Sequence, residues 1–266
     1  MKLAIGCPTA AWIPDRRVLM EALRPELSGA DYYREFKDPE PWMDWFTKML
    51  RWATSTDADW FLTLQDDVEL APNFFPALHA MMTAWPGEVI GLAATHSLAR
   101  EVARQGRRSY RTPKVVGWGW AMPMPMVTGL LEWAEAGNLK EFHAKHPTDG
   151  EDTFTAAYLL TLGIKTRSPV PTIIDHRHVS STNEGFDDHT HRRSVVTWRG
   201  YEALDMAVPS WWQTACTDLP HDDWRKCWAC GERPDEIGIY GTKARICRVC
   251  LTAYVASQCG LQMRVG

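Results

Sequence analysis

Hydrophobic residues follow two alternating periods along the first two thirds of the chain. Short apolar runs predict strands at 2–5, 60–64, 88–94, 115–122, 164–167 and 170–175, and helical spacing predicts helices at 15–23, 42–53, 72–85, 125–136 and 151–162. Residues 25–41 contain prolines, a glycine and mixed charges, which is typical of a loop. Strands that alternate with helices predict an α/β fold, with one open sheet flanked by helices.

The composition of the chain changes towards its C-terminal end. Residues 181–222 are irregular, polar and interrupted by tryptophans, and four of the seven cysteines follow within the next 28 positions. We therefore predict an α/β domain over residues 1–200, a linker over residues 201–222 and a small module over residues 223–266.

The cysteines of the small module form two CxxC pairs separated by sixteen residues: Cys227 with Cys230, and Cys247 with Cys250. Each pair places two thiolates on one turn, and two such turns complete a tetrahedral site for Zn²⁺. Four sulfur ligands close the site, so a structural zinc ribbon is predicted, with redox-active thiols or disulfides as the alternative. A folding cap, a dimer contact and a contact with nucleic acid or protein all remain open as its role.

Composition and charge exclude several classes of protein. The formal net charge of −4 gives no overall indication of binding to nucleic acid or to an anionic membrane. No apolar run approaches the roughly 18 residues of a membrane-spanning helix, and the first strand is too short for a signal peptide. Neither GxGxxG nor GxxxxGK[ST] occurs, which argues against a dinucleotide dehydrogenase and a P-loop NTPase. We expect a cytoplasmic protein with reduced thiols.

The most informative segment is the apolar run Trp60–Leu64, which leads directly into Gln65, Asp66 and Asp67. Two adjacent carboxylates at the end of a buried strand are costly unless a cation lies between them. Ligands of α/β proteins bind at the carboxyl ends of the strands. The segment therefore indicates a metal-assisted site for an anionic, phosphate-bearing ligand, whereas the structural alternative is a strand end whose acids are solvated or cap a helix.

Residues 61–75, with their Gln-Asp-Asp-Val core and the following Pro-Asn-Phe-Phe, resemble the metal-binding motif of GT-A nucleotide-sugar glycosyltransferases. The motif is similar to that of N-acetylglucosaminyltransferase I and of the lipopolysaccharide glycosyltransferases, which have Glu where this chain has Gln65. The resemblance implies a GT-A mixed sheet, a nucleoside diphosphate sugar as donor and Mn²⁺ or Mg²⁺ as cofactor. It also implies that Asp66 binds the ribose and that Asp67 binds the metal. Thr9, in the turn after the first strand, corresponds to the loop that faces the nucleotide.

Three further elements follow in the order of the same family. The segment Val116–Met122 resembles the Gly/aromatic strand beside the sugars, which implies stacking by Trp118 and Trp120. Glu151-Asp152 resembles the acidic start of a helix in inverting members, which implies that Asp152 is the general base and that Glu151 belongs to the same site. Core packing of the tryptophans, and helix capping by Asp149 together with Asp152, are the structural alternatives.

A late strand ends in Asp175-His176-Arg177-His178 and resembles the strand that delivers a histidine to the metal in lipopolysaccharide-type members. It implies His176 as a metal ligand, with His178, two residues on, as the alternate. Taken alone, a single histidine is more often a surface or core residue. The late position in the chain, directly after a strand, favours the ligand.

Together the motifs predict a metal-dependent, inverting glycosyltransferase that acts on a hydroxyl acceptor. The basic segment 100–114 is either a solvated loop or a phosphate contact, and with the zinc module it suggests a hydroxymethylated DNA base as one acceptor. Two alternatives remain from other classes. One is a metal-dependent nuclease that uses His176, His178, His189 and His191, and the other is a non-catalytic, zinc-containing nucleic-acid-binding protein.

Overall fold

The computed structural model describes residues 1–37, 42–94, 99–147, 149–177 and 194–218, and the backbone of two strands further along the chain. The chain divides into two compact units. The first comprises Met1–Thr182 and Asp188–Leu219, and the second comprises Asn183–Asp187 and Pro220–Gly266. Within the described residues, no helix has the length and apolar character needed to cross a membrane.

The first unit contains ten strands in its described part. They are β1 (Leu3–Thr9), β2 (Tyr32–Lys37), β3 (Trp60–Leu64), β4 (Val68–Leu70), β5 (Ile90–Gly91), β6 (Ser109–Thr112), β7 (Gly119–Pro123), β8 (Thr166–Pro169), β9 (Ile174–His176) and β10 (Thr217–Asp218). The helices are α1 (Pro14–Glu26), α2 (Trp42–Thr54), α3 (Phe74–Ala84), α4 (Ala99–Arg104), α5 (Met124–Trp133), α6 (Leu139–Lys145), α7 (Glu151–Thr161), α8 (Ala203–Met206) and α9 (Pro209–Trp212). An irregular turn at Ala134–Asn138 joins α5 to α6, with Gly137 at a φ of 101°.

Eight of the strands form one mixed sheet in the order β10-β6-β8-β5-β7-β3-β1-β2, and β4 pairs with β9 in a separate two-stranded sheet. Strand β1 is parallel to both β2 and β3, whereas β7 runs antiparallel between β3 and β5. The predicted α/β class, a mixed sheet flanked by helices, is confirmed. Because β1 and β3 are parallel neighbours, the segments after them leave the sheet at the same edge.

Strand β3 lies at the centre of the hydrophobic core, and all five of its residues are buried. Leu62 and Leu64 face the layer that contains α1 and α3, whereas Phe61 faces the layer that contains α2, α5 and α7. Successive side chains of a strand point to opposite faces, so a strand covered by helices on both faces is apolar throughout. This explains the uninterrupted apolar run that precedes the two aspartates.

Strand β2 lies within the segment that we expected to be a loop, residues 25–41. That expectation is wrong for residues 32–37, and also for residues 25–26, which end α1. The sequence of β2, Tyr-Tyr-Arg-Glu-Phe-Lys, combines aromatic and charged residues because β2 is an edge strand with one neighbour, β1. Charged residues are tolerated on an edge strand since one side of it faces away from the sheet.

The segment that we expected to be a linker, residues 201–222, is part of the first unit as far as residue 218. Helices α8 and α9 pack near α3, and the indole of Trp212 is fully buried against that of Trp85, with ring centroids 5.5 Å apart. The indole N–H of Trp85 donates to the carbonyl of Trp212 (3.1 Å), and the indole N–H of Trp212 donates to the carbonyl of Met206 (2.8 Å). Burial of large indole rings with satisfied N–H groups fixes this segment to the domain.

The second unit is described through two backbone strands, β11 (Ile237–Tyr240) and β12 (Ala244–Cys247), which form an antiparallel pair with Ile237 opposite Cys247. Cys227, Cys230 and Cys250 lie outside the described residues, and Cys247 is described only as a backbone position. The zinc ribbon therefore stays a prediction.

Candidate functional site

The candidate site lies at the edge of the sheet where β1 and β3 end. The backbone N–H of Ala10, just after β1, donates to Asp66 Oδ2 at 2.8 Å. Asp67 is followed by β4, whose partner β9 places His176 opposite Val68. Three segments that are distant in the sequence therefore meet at the two aspartates.

Both aspartates are buried, with Asp66 0% and Asp67 3% exposed. Their counter-ion within the described chain is Arg16 in the first turn of α1, which is itself only 7% exposed. Arg16 Nη2 lies 2.6 Å from Asp66 Oδ1, and Arg16 Nη1 contacts Asp67 Oδ2. Burial raises the pKa of Asp66 above its ordinary value, while the charge of Arg16 and the N–H of Ala10 act in the opposite direction.

Sequence reasoning predicted a cation between the two acids but did not identify Arg16. The signal was weak, because nothing in the pattern distinguishes Arg16 from Arg17 beside it. In the folded chain Arg16 points towards the acids, whereas Arg17 is exposed. Position on the helix therefore decides which of the two arginines belongs to the site.

His176 lies beside Asp67, with its Nε2 atom 3.0 Å from Asp67 Oδ2. The ring of Trp118 covers the imidazole, with ring centroids 4.9 Å apart. The backbone N–H of Arg177 donates to the carbonyl of Asp67 at 2.8 Å. These contacts fix the imidazole relative to the carboxylate. The alternate ligand, His178, lies outside the described residues.

An ion-pair bridge supports the segments that carry Asp67 and His176. Glu69 of β4 and Asp175 of β9 are opposite each other, and Arg199 reaches both, at 2.7 Å from Glu69 Oε2 and 3.1 Å from Asp175 Oδ2. Asp175 Oδ1 also accepts hydrogen bonds from the backbone N–H groups of His176 (3.0 Å) and Ser194 (3.1 Å). The bridge therefore joins β4, which follows the two aspartates, to β9, which carries His176.

The acidic start of α7 reaches the same edge of the sheet through Gly117. A Cβ atom built on Gly117 would lie 3.4 Å from Gln65 Nε2, 3.4 Å from Glu151 Oε1 and 3.5 Å from Asp152 Oδ2. Gln65 directly precedes the two aspartates, so both acids of α7 lie near the side chain of the residue that leads into the pair. The N-cap of α7 is Gly150, without a side-chain cap, so capping by Asp149 does not occur.

The aromatic residues predicted to stack on a ligand occupy two different environments. Trp120 is fully buried in the layer of α2 and α5, with its ring 5.8 Å from that of Phe61, so its predicted role in stacking is corrected to core packing. Trp118 lies in the site but is largely buried against His176. Trp12, which sequence reasoning missed, is 53% exposed in the turn after β1.

Thr9 ends β1 beside the site and is almost completely buried. Its Oγ1 atom accepts a hydrogen bond from the backbone N–H of Ala11 at 3.2 Å. This contact shapes the turn that brings the N–H of Ala10 to Asp66. In the structure Thr9 therefore supports the loop.

The residues fit a divalent cation in part. Asp67 Oδ1 is buried and has no hydrogen-bond partner within the described residues, which is costly for a carboxylate oxygen. Asp67 Oδ2 and His176 Nε2 are 3.0 Å apart, close to the ~3 Å between two neighbouring ligands in an octahedron with 2.1 Å bonds. No cluster of three or more His, Cys, Asp or Glu side chains suited to a metal occurs in the described part of the chain. Asp67 and His176 therefore have the chemistry and the spacing of two metal ligands, and a substrate and water would have to complete the shell.

Several arginines of the basic segment 100–114 are engaged within the domain. Arg111 forms a bidentate pair with Glu88, at 3.0 and 3.1 Å. Arg108 lies over the ring of Trp211 at 4.1 Å, and Arg107 donates to Thr217 Oγ1 at 2.8 Å. These contacts favour a structural role for the three arginines over a phosphate-binding surface.

Comparison with known proteins gives only distant similarities. No family model and no curated protein matches the chain. Two similar solved structures are A197 from STIV (12% identity, 68% of this chain and 87% of that chain, TM-score 0.42) and mannose-1-phosphate geranyltransferase from Thermus thermophilus (14% identity, 66% and 76%, TM-score 0.39). Similarity at this level carries no argument about function, which depends on the geometry of the site.

Proposed function

We propose that this protein is a metal-dependent glycosyltransferase with a GT-A fold, which transfers a sugar from a nucleoside diphosphate to a hydroxyl acceptor. The observation that carries the proposal is the convergence at one sheet edge of a buried Asp66–Asp67 pair, His176 and the acids of α7. Carboxylates and an imidazole suit a hard divalent cation, and a further carboxylate suits proton transfer.

Asp67 and His176 would hold Mn²⁺ or Mg²⁺, with Asp67 Oδ1 available as an additional oxygen ligand. The cation, when bound, offsets the negative charge of the departing diphosphate. The indole of Trp118 and the backbone bond from Arg177 to Asp67 keep the two ligands in place. Preorganised ligands lower the cost of binding because little is left to order.

The nucleoside would lie beside Asp66 and the turn after β1. Asp66 Oδ2 accepts the N–H of Ala10 and Asp66 Oδ1 is ion-paired with Arg16; a carboxylate has about four acceptor positions, and we assign a remaining one to a ribose hydroxyl. Trp12 offers an exposed aromatic face on the same turn, suited to stacking on a base or sugar. Thr9 supports this turn from within the sheet.

Asp152 is the proposed general base. Its Oδ1 atom accepts the backbone N–H of Thr153 at 2.7 Å, and its Oδ2 atom faces the space over Gly117. In a single displacement the acceptor oxygen forms a bond to the anomeric carbon as the bond to the diphosphate breaks. The hydroxyl proton passes to Asp152 Oδ2, and the configuration of the sugar is inverted. Glu151, beside the same space, would orient the acceptor.

The described residues give little support to the other functions that the sequence left open. A hydroxymethylated DNA base remains one proposal for the acceptor. Arg107, Arg108 and Arg111 make contacts within the domain, so they do not support it. The proposal therefore rests on the cysteine module, whose side chains lie outside the described residues. Three of the four histidines of a nuclease site, His178, His189 and His191, lie outside the described residues as well. The transferase is therefore the function that the described geometry supports best.

Thermal unfolding with a panel of nucleoside diphosphates and their sugars, with and without Mn²⁺, tests the proposal. We expect one nucleotide to raise the melting temperature only when Mn²⁺ is present, since a ligand stabilises the state that binds it. Asp67→Asn should remove this stabilisation. Asp44→Asn, which alters an exposed aspartate of α2, should retain it. An unchanged nucleotide shift in Asp67→Asn would contradict the assignment of the metal ligand.

A further inference from the structure

Arg16 occupies the position in which the divalent cation of the proposed site would act. Its guanidinium spans both aspartates, with one nitrogen at Asp66 Oδ1 and the other at Asp67 Oδ2. All three side chains are more than nine-tenths buried. The pair of acids is therefore already partly neutralised by a cation that belongs to the chain.

The contact at Asp67 Oδ2 makes Arg16 and a divalent cation compete. This oxygen is approached by Arg16 Nη1 and also by His176 Nε2, the second proposed ligand. A cation placed between Asp67 and His176 would lie directly against the guanidinium. Like charges in contact repel strongly in a buried environment, where solvent screening is weak. Both cannot remain at this oxygen.

We infer that Arg16 and the divalent cation are alternative counter-ions of Asp66 and Asp67, and that Arg16 leaves the acids when metal and donor bind. The inference rests on the proposed function and adds a role for Arg16. Without metal, Arg16 offsets the negative charge of two adjacent buried carboxylates and holds them in place. After displacement its planar guanidinium is still tethered beside the site, where it matches the oxygens of a diphosphate.

The exchange has a measurable consequence for metal affinity. Metal alone must break the buried ion pairs of Arg16 before it gains its ligands, so Mn²⁺ by itself should bind weakly. A diphosphate offers the released arginine a new partner, so nucleotide and Mn²⁺ should strengthen each other's binding. Removal of the guanidinium should instead leave two buried acids without their internal counter-ion, which is a stronger metal site.

Binding of Mn²⁺ alone to the full chain, followed by the electron paramagnetic resonance of free Mn²⁺, tests the inference. Arg16→Gln should bind Mn²⁺ about 10- to 100-fold more tightly than the wild type, because no buried ion pair must be broken. Arg17→Gln is the matched control, since it removes the same charge from an exposed neighbouring position on α1. It should bind Mn²⁺ with wild-type affinity.

Thermal unfolding of the same variants separates exchange from a purely structural role. Without metal, Arg16→Gln should melt at a lower temperature than the wild type, and Mn²⁺ should restore more of its stability than it adds to the wild type. If Mn²⁺ does not restore stability and binds no more tightly than to the wild type, the inference is overturned. If Arg16→Gln does not fold, Arg16→Met takes its place, because it also removes the charge and keeps an unbranched side chain. Unchanged Mn²⁺ affinity in Arg16→Met then overturns the inference.

Failure of the inference and failure of the proposed function give different results. If the wild type shows a nucleotide shift that depends on Mn²⁺ but Arg16→Gln binds Mn²⁺ no more tightly, the transferase stands and the exchange is wrong. If no nucleotide shifts the wild type, the transferase is wrong, and tighter Mn²⁺ binding by Arg16→Gln would still support the exchange of counter-ions. If neither protein binds Mn²⁺, the exchange is overturned.

Discussion

A methyl group added at Gly117 should separate folding from turnover. In Gly117→Ala the new carbon would lie 3.4 Å from Gln65 Nε2 and from Glu151 Oε1, and 3.5 Å from Asp152 Oδ2. These are ordinary van der Waals distances, so the neighbours need not move. The lower backbone entropy of alanine in the unfolded chain adds a small favourable contribution of about 0.4–1 kcal/mol. We therefore expect the free energy of unfolding to change by no more than about 1 kcal/mol, or about 2–4 °C in melting temperature.

The effect on the reaction should be much larger. The methyl group fills the space between the three polar groups, which is where the acceptor hydroxyl must approach Asp152. Displacement of a reacting group by about 1 Å costs roughly 10²-fold in rate. The assay measures the rate at which nucleoside diphosphate is released from the donor that the thermal shift identifies. In Gly117→Ala this rate should fall by about the same factor, while nucleotide and Mn²⁺ still stabilise the protein.

Gly119→Ala provides the contrasting variant two residues along the chain. Its Cβ would lie 2.9 Å from Ile174 Cδ1 and 3.1 Å from Leu64 Cδ1, in the hydrophobic core. Overpacking of this kind costs about 1–3 kcal/mol, so this variant should lose stability.

Two results for Gly117→Ala would refute the proposed place of the acceptor. One is turnover at the wild-type rate, and the other is loss of nucleotide binding together with loss of turnover.

Two further predictions concern stability away from the reacting groups. Burial acts to raise the pKa of Glu88, but hydrogen bonds and charge from Arg111 and Arg167 outweigh it and lower that pKa. Glu88→Gln should therefore lower the free energy of unfolding by about 1–2 kcal/mol at neutral pH, after allowance for the partly exposed Arg111. Urea unfolding should show that the difference between the two proteins disappears as the pH falls below about 4 and through the lowered pKa. Trp120→Leu should destabilise the protein by about 2–4 kcal/mol without changing the stabilisation by nucleotide and Mn²⁺, because the indole lies in the core; loss of that stabilisation in a folded variant would contradict its placement.

The sequence was easiest to interpret where a feature follows from consecutive residues. The apolar run before Asp66 and Asp67 could be interpreted directly, because a strand covered on both faces must be apolar and the polar residues after it must lie at its end. The resemblance to a late, histidine-bearing strand implied His176 as a metal ligand, and in the structure it lies beside Asp67. The metal ligation, ribose binding and proton transfer that we assign to these residues stay predictions.

Other features could not be predicted because they depend on which segments become neighbours. Trp118 and Trp120 have the same local pattern, but one faces His176 and the other faces Phe61 on the far side of the sheet. The edge strand β2 has too few apolar residues to be recognised without its partner β1. The helices after residue 200 are short and owe their order to the burial of Trp212.

The sequence by itself determined the α/β class, the central buried strand and the carboxylates at its end, because the period of apolar residues records how each element is covered. Only the tertiary structure decided which cation neutralises those carboxylates and where the acids of α7 lie. Arg16 and Asp66 are separated by fifty residues, and Gly117 and Asp152 by thirty-five. Their proximity arises from the pairing of β1, β3 and β7 in one sheet, and a pattern of local burial contains no information about such pairing.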